Sequence, residues 1–193
     1  MAAGTIYSFS RITAFKECPR KYEYLYIDRV PPEFTSIELF VGSVTHEALS
    51  WLYAQQKQGS TPDASALVDA FEVEWKHGLN NSIKVIKSSD SLAAQKDRSI
   101  QMLQSHYCDV FKHDRLDTIS LEEQFTLDLN RQYGYTGIID RLARDHNGRL
   151  HIIDFKTTRR PPSYLTDDSI LQLRASRGKR ECPRPDSNRR PRD

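Results

Sequence analysis

The chain has 193 residues, 38% hydrophobic and 28% charged, enough to bury one ordinary core without staples. Its longest apolar runs span four or five residues, far short of the ~20 a membrane helix needs, and MAAGTIYSFS lacks the charged start and apolar stretch of a signal peptide. The formal charge of +2 is no argument for nucleic-acid binding: residues 174–193 hold eight of the 28 Lys and Arg but only three of the 26 Asp and Glu, leaving 1–173 on the acidic side. Three scattered cysteines, Cys18, Cys108 and Cys182, make no disulfide framework, so a reducing cytoplasm is the expected setting.

Cap-type serines open the first element, in which Ile12 and Phe15 stand at helical spacing until Pro19 ends it. Tyr22, Leu25 and Tyr26 follow as a second short helix with an aromatic face. From Phe40 to Gln58 the residues Val41, Val44, Ala48, Trp51, Leu52 and Gln55 form one stripe, closed by Gly59. On that helical wheel His46 falls roughly 140° from the centre of the stripe and so outside the core face. Thr61-Pro62-Asp63 reads as a cap, a first-turn proline and a first-turn acid for a helix running to Gly78. A further helix is predicted over about Ser91–Lys112, so residues 1–117 are mainly helical.

At Thr118 the period changes to two. Ile119, Leu121, Phe125, Leu127 and Leu129 predict a half-buried strand, with Glu123 the exception on the apolar parity. Tyr135–Arg144 and Arg149–Thr157, joined through His146-Asn147-Gly148, predict a β-hairpin, and a helix carrying Ile170, Leu171 and Leu173 is expected to start near Thr166. The expectation is one domain over 1–173 with its sheet core in 118–173, followed by a basic, disordered or out-of-frame tail over 174–193.

The hairpin concentrates the chemistry. Alternation puts Asp154 and Lys156 on one face. With a three-residue loop and a left-handed Gly148, pairing partners sum to 294 and Asp140 stands opposite Asp154; a two-residue turn would send the acids to opposite faces. The first register is preferred because it aligns Ile138, Leu142, Leu150 and Ile152 beside the acids and Ile139, Ile153 and Phe155 behind them, both faces then being apolar and covered by helices. Opposed carboxylates destabilise a sheet unless something offsets them. A magnesium ion held by one or two carboxylates and phosphate oxygens does so, and Lys156 adds a point charge for a phosphate or a water, the set used in metal-assisted phosphodiester hydrolysis. A lone Asp-x-Lys would more often be a simple strand-rim pair; a second acid among apolar strand residues shifts the balance toward a site.

Gly137-Ile138-Ile139-Asp140-Arg141-Leu142 followed by Ile152-Ile153-Asp154-Phe155-Lys156-Thr157 resembles the motifs of the PD-(D/E)XK nuclease superfamily, in particular its RecB-like exonuclease branch. Ser8 to Tyr22 is similar to the N-terminal signature of that branch, Gly42 to Leu49 to its histidine helix and Gln172-Leu173 to the start of its glutamine motif. The resemblance implies an α/β (α+β) fold: a restriction-endonuclease-like core with a central mixed sheet flanked by helices, preceded by a mainly helical N-terminal part. It implies a Mg2+- or Mn2+-dependent DNA nuclease of repair, recombination or CRISPR-type spacer processing, with DNA and a helicase or complex subunit as partners and no membrane. By the same resemblance His46, Asp140, Asp154 and the Phe155 carbonyl are metal ligands, Lys156 orients the attacking water, Gln172 shapes the site, and Glu123 or Glu122 lines the cleft. Some relatives bind a 4Fe-4S cluster through one cysteine of the N-terminal signature and three near the C-terminus. Cys18 takes the first position, but Cys182 stands alone, so no cluster is expected and Cys18 reads as a small buried residue. The glutamine motif also departs from the branch, which continues it to a tyrosine where Arg174-Ala175-Ser176 stand here. That suggests a truncated end and, as the alternative function, a catalytically incomplete nucleic-acid-binding or scaffold module.

Overall fold

A computed structural model of the chain describes residues 5–86, 91–130 and 132–157. In chain order the elements are β1 (Thr5–Ser8), α1 (Phe9–Glu17), α2 (Pro19–Tyr22) with a π-helical turn Glu23–Ile27, β2 (Thr35–Ser36), α3 (Ile37–Lys57), α4 (Ala64–Gly78), β3 (Ile83–Lys84), α5 (Leu92–Asp109) with a 3-10 turn Phe111–His113, β4 (Asp117–Asp128), β5 (Tyr133–Arg144) and β6 (Leu150–Ile153). The helix expected near Thr166, Gln172 and the tail over 174–193 lie outside the described residues.

Serine and aspartate side chains set the helix starts. Ser8, Ser36, Asp63 and Ser91 accept from backbone N–H groups three residues on, so Asp63 is the cap of α4 itself, and Thr61-Pro62 precede the helix. Helix α3 begins at Ile37, three residues earlier than the stripe suggests, because Ser36 supplies the cap. The long helix predicted to Lys112 ends at Asp109 and tightens into the 3-10 turn. The aromatic segment after Pro19 is helical as far as Tyr22 and then widens into the π-turn.

The main sheet is mixed. β5 is its centre, antiparallel to β4 along its whole length and to β6 at its C-terminal half, and parallel to β1 at its N-terminal half. β1 is absent from the periodicity because four residues are too few to show a period; Ser8 ends the strand and caps α1 in one step. The β5–β6 pairs Arg141↔Ile153, Leu142↔Ile152, Ala143↔His151 and Arg144↔Leu150 follow the register whose partners sum to 294, and Gly148 at φ +81 supplies the left-handed turn. β6 ends at Ile153, so Asp154–Thr157 continue as irregular chain rather than strand. β4 slips by one residue between Thr118 and Ser120, a bulge at which Lys57 Nζ donates to the Ile119 carbonyl at 2.6 Å.

Helix α3 packs on one face of this sheet. Its residues Val44, Ala48, Leu52 and Tyr53 share one buried core with Ala143, Ile153 and Phe155 of the sheet side and with Leu67, Phe71, Trp75 and Leu103 of α4 and α5. Among the described residues only one sheet face is covered: Ile138, Leu150 and Ile152 are 62%, 61% and 58% exposed, and the helix expected near Thr166 lies outside the described residues. Within the described residues the alternation of the hairpin gives one buried face, that of Ile153 and Phe155, and one left exposed. Among the described residues no helix is long and apolar enough to cross a membrane.

Candidate metal centre

Asp140 sits on the central strand beside the place where β6 leaves the ladder. The next pair after Arg141↔Ile153 would be Asp140 with Asp154, and there the Asp140 carboxylate turns to accept from the Phe155 backbone N–H at 2.6 Å. That bond satisfies a donor freed by the end of the strand and fixes the carboxylate within reach of α3, whose His46 Nδ1 lies 3.6 Å from Asp140 Oδ2. Burial raises the Asp140 pKa above the ordinary carboxylate value; the Phe155 N–H, His46 and Lys156 oppose that shift and Asp154 adds to it.

β4 brings a third donor. Leu121 pairs with Arg141 and Glu123 with Ile139, so Glu122 comes beside Asp140, and one atom each from His46, Glu122 and Asp140 fall within 4.8 Å of one another. Glu122 holds φ +47, the left-handed region, which costs a residue with a Cβ about 1–2 kcal/mol. Its pKa is raised first by burial and then by the charge of Asp140. Glu123 points elsewhere and accepts from the Ser120 hydroxyl. Between the two glutamates named from sequence, the structure brings Glu122 to the site; the slip of β4 near Ile119 is the reason parity could not choose.

Asp154 and Lys156 lie on one side of the irregular chain and pair with each other, Lys156 Nζ standing 2.7 Å from Oδ1 and 2.5 Å from Oδ2 of Asp154. Both are partly open to solvent, whereas Phe155 between them is 1% exposed and stacks on Tyr53 at 5.6 Å. Phe155 is thus the anchor that delivers its two charged neighbours to the rim. Under it lies a buried polar cluster that sequence reasoning did not find. The Arg141 guanidinium is 3.9 Å from the Tyr53 ring centre, bonds Asp114, donates to Thr118 Oγ1 at 2.8 Å and to the Leu116 carbonyl at 3.1 Å, and is fully buried. The signal lay in the sequence as Arg141 next to Asp140, but only the pleat shows that the two side chains serve opposite purposes.

His46, Asp140, Asp154, Phe155 and Lys156 therefore gather at the junction of α3 with the β5–β6 end, while Gln172 lies outside the described residues. Cys18 is exposed, not buried: it caps α1 in an extended conformation just before Pro19, at a break in the helical path. A set of one imidazole and two carboxylates, with Asp154 near, fits a divalent cation of the magnesium–manganese kind, which takes carboxylate oxygens and tolerates a nitrogen. The fit rests on this donor chemistry and on the like charges it would neutralise.

A family model described as the PD-(D/E)XK nuclease superfamily matches residues 6–175, which takes in His46, Glu122, Asp140, Asp154 and Lys156. No curated protein matches the chain.

Proposed function

This chain belongs to the PD-(D/E)XK nuclease superfamily, whose members are nucleases that use divalent metals, and on that premise we propose that it hydrolyses DNA phosphodiesters as a RecB-like exonuclease. The observation that carries the reading is the approach of His46 to within 3.6 Å of Asp140, two residues 94 positions apart in sequence. In this reading His46, Asp140, Asp154 and the Phe155 carbonyl hold a Mg2+ or Mn2+ ion. When bound, the ion supplies charge stabilisation at the phosphoryl oxygens and a lowered pKa for a water.

The remaining work falls to the chain. Lys156 stands at the solvent rim, where its ammonium can orient a water or a phosphate oxygen, and Asp154 holds it there. Asp140 is kept in one rotamer by the Phe155 N–H, so the ligand is positioned before any substrate arrives. His46, 3.6 Å from Asp140, ties α3 to the site. Gln172 is assigned a shaping role from the motif resemblance alone. The same resemblance supports a role in repair, recombination or spacer processing beside a helicase or other complex subunit, and the scattered cysteines fit a cytoplasmic setting.

The test is degradation of single- and double-stranded DNA with Mg2+, with Mn2+ and with EDTA. Metal-dependent cleavage that falls by about 10²–10⁴ in Lys156→Ala and is abolished in Asp140→Asn supports the reading. Cleavage that survives both substitutions overturns it, and DNA binding without cleavage favours the non-catalytic module.

A further inference from the structure

Asp140 has an acid on each side. Asp154 follows the β6 ladder on one flank, and Glu122 stands on β4 at the other. The two flanks are not alike. Asp154 is occupied by Lys156, whose ammonium meets both of its oxygens. Glu122 has the reverse surroundings: it comes beside the Asp140 carboxylate, with His46 as the third group of the cluster.

A left-handed backbone at a glutamate, inside a strand and beside a second carboxylate, is unfavourable on both counts. Among the described residues no ion pair relieves Glu122 in the way Lys156 relieves Asp154. With His46 the three groups converge within 4.8 Å, a span that one ion bridges.

Resting on the nuclease reading above, we propose that Glu122 is a further ligand of the bound divalent cation, which sits on the β4 flank of Asp140 between Glu122 and His46. Asp154, a ligand on the other flank in that reading, also holds Lys156 at the rim. The ion is thus offset from the ammonium, and Lys156 is left facing the water or phosphate.

The experiment measures Mn2+ binding by electron paramagnetic resonance, and melting in EDTA and in Mn2+, for the full chain and for Glu122→Gln, Glu122→Asn, Asp154→Asn and Asp140→Asn. Glu122→Gln is expected to weaken Mn2+ by at least about 10–100-fold, as much as or more than Asp154→Asn. In EDTA the same variant is expected to melt higher than the parent chain, because the like charge beside Asp140 is gone. Glu122→Asn, which tolerates the left-handed backbone, is expected to melt higher still. A structural glutamate would give the opposite sign in EDTA. Unchanged Mn2+ affinity in both Glu122 variants, with loss in Asp140→Asn, overturns the assignment and leaves the nuclease reading standing. Unchanged affinity in Asp140→Asn, or no Mn2+ binding by the parent chain, overturns both.

Discussion

The backbone N–H of Phe155 donates to Asp140 Oδ2 at 2.6 Å, so the carboxylate proposed as a metal ligand also terminates a strand. Asn keeps a carbonyl oxygen for that bond and Ala does not. Asp140→Asn is therefore expected to fold with metal-free stability equal to or above the parent chain, since it also removes a carboxylate that burial disfavours. Asp140→Ala leaves the buried Phe155 N–H unpaired and is expected to cost about 1–3 kcal/mol in urea unfolding. Equal stabilities for the two variants would show that the bond contributes nothing.

Arg141 and Asp114 form a buried pair, with side chains 0% and 4% exposed, beneath the Tyr53 ring. Removing one member strands the other in a place without water. Asp114→Asn is expected to destabilise the fold by about 3–5 kcal/mol, while Arg141→Met combined with Asp114→Leu is expected to cost less than that single change. A double-mutant cycle by chemical denaturation checks it, and additive costs would contradict it.

His106 donates to or accepts from the Tyr53 hydroxyl through Nε2 at 3.0 Å, and its Nδ1 has no partner among the described residues. Burial lowers its pKa from 6.5 to about 4. The unfolded chain then binds a proton between those values that the folded chain refuses, so stability rises with pH across that window. The part due to His106 is fully present above about pH 6.5 and lost by about pH 4, at most about 3 kcal/mol. His106→Gln, with no ring to protonate, is expected to be less stable than the parent chain at pH 7 and to close the gap as pH falls. A gap that is constant from pH 7 to pH 4 would rule this out.

These three relationships differ in how far the amino-acid sequence exposes them. The hairpin register is legible because His146-Asn147-Gly148 admits few turns, while the apolar face of Ile138, Leu150 and Ile152 that helped select it is exposed among the described residues. His46 is legible as a residue set off from the stripe of α3, and its closeness to Asp140 follows once α3 packs on β5. Glu122 is not, because a one-residue slip in β4 and a left-handed backbone both break the period from which a strand face is read. The cluster of Arg141, Asp114, Tyr53 and His106 is hidden for another reason: its members come from β5, α3, α5 and the segment after the 3-10 turn, and carry no common spacing.

Neighbouring residues on β6 give the most direct check of the register on which the site depends. Ile152 is 58% exposed and Ile153 is 1% exposed, though the two are chemically identical and adjacent. A slip of one residue would exchange them, and would also carry Asp140 and Asp154 to opposite faces. With the register described here, Ile153→Ala opens space under α3 beside Phe155 and is expected to cost about 2–5 kcal/mol. Ile152→Ala removes a side chain already largely in water and is expected to cost under about 1 kcal/mol. Paired denaturation curves for the two variants decide the matter: equal or reversed costs would place Asp154 on the wrong side of the sheet for any role beside Asp140.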